Sequence, residues 1–230
     1  MYFFGKSSVV DFISIKHIAY IFGSYELSYI ELIGTIFGLL AVYWASRENI
    51  WTWPASLINV TAFFILFYQI NLYADMFLQI YFLIVSIYGW YNWLQPKNKE
   101  DALLPISRMT QKELFIHAFL LVIGTIGIGY LMSQIHLWFP STFTEPAAFP
   151  YPDAFTTTAS ILAMILLSQK KIENWLLWIA VDVVAVYLYY LKDILFVSVE
   201  YVIFLIICIF GYINWRKTLG VQITEEYYEI

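Results

Sequence analysis

The chain has 230 residues, of which 61% are hydrophobic, 20% aromatic and only 13% charged. A soluble domain carries about 25% charged residues, so water is the wrong solvent for most of this surface and a membrane is expected around it. The formal net charge of −5 and the lack of any dense run among the 12 basic residues argue against nucleic acid, and against a polybasic lipid-binding tail.

In chain order, residues 1–23 come first. They hold an apolar patch broken by Asp11, Lys16 and His17, with no small-residue cleavage signal after it, so the segment is expected to stay on the chain. Ile13, Ile15, Ile18, Ile21 and Phe22 are expected on one face of a helix lying in the membrane interface. Seven windows then approach the roughly 20 apolar residues that a spanning helix needs. They are 31–46, 50–70, 73–94, 114–138, 153–169, 173–192 and 194–216. Tight turns are expected at Arg47 to Asn49, at Asn71, at Lys170 to Glu173 and at Lys192 to Asp193. Two longer loops remain. Residues 95–113 are charged and contain Pro96 and Pro105, and 139–152 contain Pro140, Pro146, Pro150 and Pro152, which forbid a continuing helix.

Translocation disfavours positive charge, so Lys and Arg collect on the cytoplasmic side. In a seven-span arrangement Arg47, Lys97, Lys99, Arg108, Lys112, Lys170, Lys171, Arg216 and Lys217 share one side, and Lys6, Lys16 and Lys192 the other. The N-terminus is therefore expected outside and the C-terminus in the cytoplasm.

The chain also repeats itself. Residues 31–93 align with 153–215 without a gap, pairing Trp53 with Trp175, Tyr68 with Tyr190, Gly89 with Gly211, Asn92 with Asn214 and Trp93 with Trp215. About 15 of the 63 pairs are identical, a fraction that apolar helices reach easily. The kinds of residue matched are the stronger argument, because Gly, Asn and Trp are not default lipid-facing residues. Each repeat has three spans, an odd number, and the lone span 114–138 returns the chain across the bilayer. The expected fold is thus all-α and integral to the membrane, seven helices in a 3+1+3 arrangement of two parallel repeats, after an N-terminal interfacial helix. The divisions are 1–30, 31–94, 95–152, 153–217 and a tail at 218–230.

Charge in hydrocarbon is expensive and faces a cavity or a partner. Asp182 and Glu200 lie within spans six and seven with no base beside them in sequence. Either they are neutral or paired with polar groups of neighbouring helices, or they attract a cation. Trp175, Trp178, Asp182 and Tyr189 share one face of span six, Glu200, Phe204, Gly211 and Asn214 form a stripe on span seven, and Gln79, Ser86, Trp90 and Trp93 one on span three. Asn59 and Thr61 sit mid-span in span two. Trp51, Trp53, Trp93, Trp138 and Trp215, near helix ends, are expected to be interfacial anchors. Carboxylates beside Trp and Tyr faces suit an organic cation, which gains roughly 0.5–2 kcal/mol per ring contact. Cys208 and the scattered His17, His117 and His136 point to no disulfide, metal or cofactor. A membrane-embedded enzyme would need a nucleophile, base or metal cluster, and no HExxH is present. A seven-helix receptor shares the expected termini but does not require repeats.

The WLLW at 175–178, the Gln79 followed by GWYNW at 89–93, and the repeat itself resemble the PnuC nicotinamide riboside transporters of bacterial inner membranes, over residues 25 to 217. The second repeat departs from the pattern with GYINW, where Tyr212 stands opposite Trp90. The resemblance implies a fold similar to full-length SWEET transporters, homotrimers, and facilitated diffusion of nicotinamide riboside, trapped inside the cell by phosphorylation. It also implies that Gln79, Trp90, Trp175 and Trp178 are site or gate residues. Asn59, Asp182, Glu200 and Asn214 complete the expected substrate-binding set on position and chemistry. Alternating access of the two triplets is the expected mechanism. No GxxxxGK[ST] phosphate loop is present to power uphill transport. Another small cationic or sugar-like solute is the alternative cargo.

Overall fold

The structure, a computed structural model, describes residues 13–23, 25–95, 104–142 and 145–228. The first named elements among the described residues are two strands, β1 (Ile18–Phe22) and β2 (Tyr25–Ser28), paired antiparallel with Phe22 opposite Tyr25. Gly23, at φ +61°, supplies a left-handed turn between them. This corrects the interfacial helix expected over Ile18, Ile21 and Phe22. β-Branched and aromatic residues beside a glycine turn favour the hairpin. Residues 1–12 of the expected interfacial segment lie outside the described residues.

Seven helices follow among the described residues. They are α1 (Tyr29–Ser46), α2 (Thr52–Gln69), α3 (Tyr73–Leu94), α4 (Gln111–Trp138), α5 (Pro150–Ser168), α6 (Asn174–Leu191) and α7 (Leu195–Tyr228). α1, α4, α6 and the Leu195–Gln222 part of α7 are long and apolar enough to cross a membrane. Ser28 caps α1 by accepting the Glu31 N–H at 3.3 Å, and the Tyr25 hydroxyl donates to the Glu31 carboxylate. Thr110 and Glu113 form a reciprocal capping box at the start of α4, with bonds of 2.7 and 3.2 Å. Pro150 and Pro152, expected in a loop, instead open α5, where a missing N–H costs nothing. α7 runs through the stretch expected to be a tail, to Tyr228.

The chain divides into two compact units, Met1–Leu94 and Gln95–Ile230. In the first, α1 packs on α2 and α2 on α3; in the second, α4 packs on α5, α5 on α6 and α6 on α7. The two triplets repeat each other in detail. Among the described residues, the non-glycine residues with positive φ are Glu48 (55°), Asn71 (60°), Lys170 (51°) and Asp193 (59°), and they fall at the matched turns. A left-handed residue costs about 1–2 kcal/mol, and here it lets the chain recapture the last carbonyls of each helix. Asn49 N–H bonds to Trp44 O at 2.9 Å, as Lys171 N–H does to Leu166 O at 2.9 Å. Leu72 N–H bonds to Phe67 O at 2.9 Å, and Ile194 N–H to Tyr189 O at 3.0 Å. Ser46 and Ser168 each donate to the carbonyl three residues back, both at 2.7 Å.

Two attachments are particular to one unit. In the first, Gln69 clasps the segment before the hairpin: its Nε2 donates to Ile13 O at 2.8 Å and its Oε1 accepts the Ile15 N–H at 3.1 Å. In the second, the residues before α4 lie on the α5–α6 turn. Ser107 N–H donates to Lys170 O, and Ile172 N–H to Ser107 O, both at 3.0 Å. The Met109 N–H donates to Glu173 Oε2 at 3.0 Å, and Lys171 Nζ lies 3.4 Å from Glu113.

A candidate binding site on the helix seams

Each triplet is anchored by the same indole socket. Trp53 lies against Gly89 and meets Trp93 edge-on at 5.2 Å and 86°; Trp175 lies against Gly211 and meets Trp215 at 5.4 Å and 89°. Only glycine leaves room, because a Cβ on Gly211 would fall 2.7 Å from the Trp175 ring. Trp53, Trp93 and Trp215 are 0%, 2% and 0% exposed, which corrects their expected role as interfacial anchors. Trp51 and Trp138 are exposed. Position near a helix end is shared by anchors and core residues, and the facing glycine decides between them.

From that socket a ladder runs down the α6–α7 seam. Trp175, Asp182 and Tyr189 stand seven residues apart on α6, and Trp215, Cys208 and Tyr201 seven apart on α7, so antiparallel helices bring them into register. Below the tryptophan pair, the buried Cys208 thiol donates to the Asp182 carboxylate. Asp182 itself is 3% exposed, and its Oδ2 has no protein partner. Next, Tyr189 and Tyr201 stack at 5.4 Å and 13°. Cys208 and Tyr201 escaped the sequence reading. Their seven-residue spacing from Trp215 was the available signal, but an isolated cysteine in an apolar run carries none by itself.

The structure places the remaining candidates as follows. Trp178 and Glu200 are half-buried, and Asn214 is exposed. In the first unit Gln79 and Trp90 are half-buried on α3, while Ser86 between them is fully buried with no partner for its Oγ. Asn59 donates its Nδ2 to Gly34 O at 2.8 Å and so ties α2 to α1. Asn59, Gln79 and Trp90 therefore belong to one unit, and Trp175, Trp178, Asp182, Glu200 and Asn214 to the other. Ser86 occupies the place in its triplet that Cys208 holds in the second, and Val60 the place of Asp182. The carboxyl group on this seam is thus a feature of the second repeat alone. Ring faces beside a carboxyl group can bind an organic cation.

Apolar helices in repeated triplets, with ring-lined seams carrying one carboxyl group, define a membrane transporter for a small solute. The chain belongs to the family described as Nicotinamide mononucleotide transporter, whose model matches residues 28–217. It is 34% identical over 226 residues to the nicotinamide riboside transporter PnuC of Escherichia coli (strain K12), covering 90% of this chain and 94% of that protein. It is 26% identical over 198 residues to the riboflavin/roseoflavin transporter RibM of Streptomyces davaonensis, covering 86% and 89%. A crystal structure of the vitamin B3 transporter PnuC shares the fold, with a TM-score of 0.62 at 21% identity, over 84% of this chain and 82% of that one.

Proposed function

We propose that this chain carries nicotinamide riboside across the bacterial inner membrane by facilitated diffusion. The likeness to the riboside transporter of Escherichia coli along nearly the whole of both chains carries this reading. The chemistry of the seams supports it: the pyridinium is a delocalised cation, suited to Trp and Tyr faces and to a carboxylate, and the ribose hydroxyls suit amide side chains. In this reading Trp178, Trp90 and Gln79 contact the cargo, Asp182 and Glu200 set the charge, and Asn214 bonds the sugar. Trp175 and Asn59 shape the wall through their packing.

The mechanism is alternating access, in which two parallel triplets joined by α4 in a 3+1+3 arrangement of seven spans rock about the cargo. Phosphorylation in the cytoplasm then traps it. The bonds between Ser107 and the 170–172 turn support a common side for Arg108, Lys170 and Lys171, in keeping with a cytoplasmic C-terminus and an outside N-terminus. A homotrimer is part of the same reading.

Uptake of labelled nicotinamide riboside into proteoliposomes holding the purified protein tests this. Flux above protein-free vesicles is expected, reduced at least tenfold by Trp178→Ala. Because a riboflavin transporter is also a relative, unlabelled riboflavin serves as competitor. Flux of labelled riboflavin with none of the riboside would transfer the assignment to flavins.

A further inference from the structure

Each unit carries an apolar groove between the first two helices of its triplet, and the two grooves are repeat-related. In the first unit the groove measures about 510 Å³ and is walled by Ile30, Ile33, Thr61, Ala62 and Ile65. In the second it measures about 550 Å³ and is walled by Pro152, Phe155, Val183, Val184 and Tyr187, the residues matched to those five in the sequence repeat. The recurrence makes the concavity a product of the triplet fold. Val183 and Val184 lie roughly 100° and 200° round α6 from Asp182, so this groove is separate from the ring-lined seam. Its walls offer hydrocarbon and ring surface and almost no hydrogen-bonding group, which suits an acyl chain and would strand a ribose.

The mouths of the two grooves differ. At the second, Phe149 lines one end, and Lys192, the C-cap of α6, holds its Nζ 5.8 Å from the Phe149 ring and 5.5 Å from Tyr189. That Nζ is also 3.5 Å from Asp153 Oδ1, and the two side chains remain 31% and 47% exposed. A cation paired with a carboxylate complements a zwitterionic headgroup, and the carboxylate disfavours a purely anionic one. In the first unit the position matched to Lys192 is Ile70.

We propose that the α5–α6 groove is a phospholipid site selective for an ethanolamine headgroup: one acyl chain fills the groove, the phosphate meets Lys192, and the ammonium meets Asp153. A lysine at a helix end reaches the interface with its stem along apolar surface, and an ammonium donates hydrogen bonds that a glycerol headgroup cannot replace with charge. The first groove takes acyl chains without choosing a headgroup.

Native mass spectrometry of the full-length protein, given equal phosphatidylethanolamine and phosphatidylglycerol with the same acyl chains, tests the site. Retention of the ethanolamine lipid is expected to exceed that of the glycerol lipid by about fivefold, the scale of one exposed ion pair. Asp153→Asn, at a half-exposed side chain and removing the carboxylate that receives the ammonium, and Val183→Trp, which fills the groove, should each bring the ratio to one or below. Thr61→Trp, which fills the matched groove, should leave it unchanged. Equal retention in the unsubstituted protein, or a preference that survives Asp153→Asn or Val183→Trp, overturns the proposal. So does a change in the number of chains per particle with Val183→Trp, which would assign the groove to a second copy of the chain.

Discussion

Glycine and tryptophan are matched twice in this chain, and the reason is steric. Gly89 and Gly211 receive the faces of Trp53 and Trp175, and no side chain larger than hydrogen fits beneath those rings. Gly211→Ala is expected to cost about 1–3 kcal/mol, because Trp175 is held edge-on by Trp215 and has nowhere to move. Gly127, also mid-helix, has nothing within 4 Å of where its Cβ would lie. Gly127→Ala should therefore be neutral or stabilising by up to about 1 kcal/mol. Thermal unfolding of the two purified variants checks the pair, and equal midpoints would contradict the socket. The repeat made the matched residues legible as a set. It could not show that Trp53 and Trp93 touch each other, since one sequence records neither partner nor direction.

Among the elements, the helices were legible and their ends less so. Turn sites at Glu48, Asn71, Lys170 and Asp193 follow from polar residues breaking long apolar windows, and the structure puts a left-handed residue at each. The N-terminal segment misled because Ile13, Ile15, Ile18 and Ile21 fit helical and extended spacing nearly equally over so short a stretch. What holds it lies far away in sequence, in the two bonds from Gln69 to Ile13 and Ile15 and the contact of Ile15 with the Ile30, Ala62 and Leu66 cluster. Gln69→Leu removes both bonds, each worth about 0.5–1.5 kcal/mol, and leucine is what the second repeat carries at Leu191. Limited proteolysis should then cut near the hairpin several times faster, with the helices still protected. An unchanged cleavage rate would show that apolar packing alone retains the segment.

For the whole molecule, the proposed mechanism consumes no energy, and this has a direct measurable consequence. Proteoliposomes without ion or pH gradients should load nicotinamide riboside until the concentrations inside and outside are equal. Accumulation beyond equality on imposing a proton gradient would replace facilitated diffusion with coupled transport. The same scale shows why some of the site was hidden. In water the buried face of a helix is the apolar one, and periodicity reveals it; in a bilayer both faces are apolar, so periodicity loses its meaning. The middle of α4 is largely apolar on every side, and Gly124 against Thr158 and Gly129 against Tyr151 mark the face that meets α5.

Composition, the lengths of the apolar windows and the repeat were enough to determine a membrane-embedded helical protein, the order of its helices and its family. These depend on local hydrophobicity and on residue identity, which a sequence carries directly. The tertiary structure alone decided that Trp53, Trp93 and Trp215 turn inward, that Asp182 takes Cys208 as its neighbour, and that β1 and β2 pair in a hairpin. Each of these is set by which helix lies opposite, and surroundings that are greasy in every direction leave no mark of that choice on the chain itself.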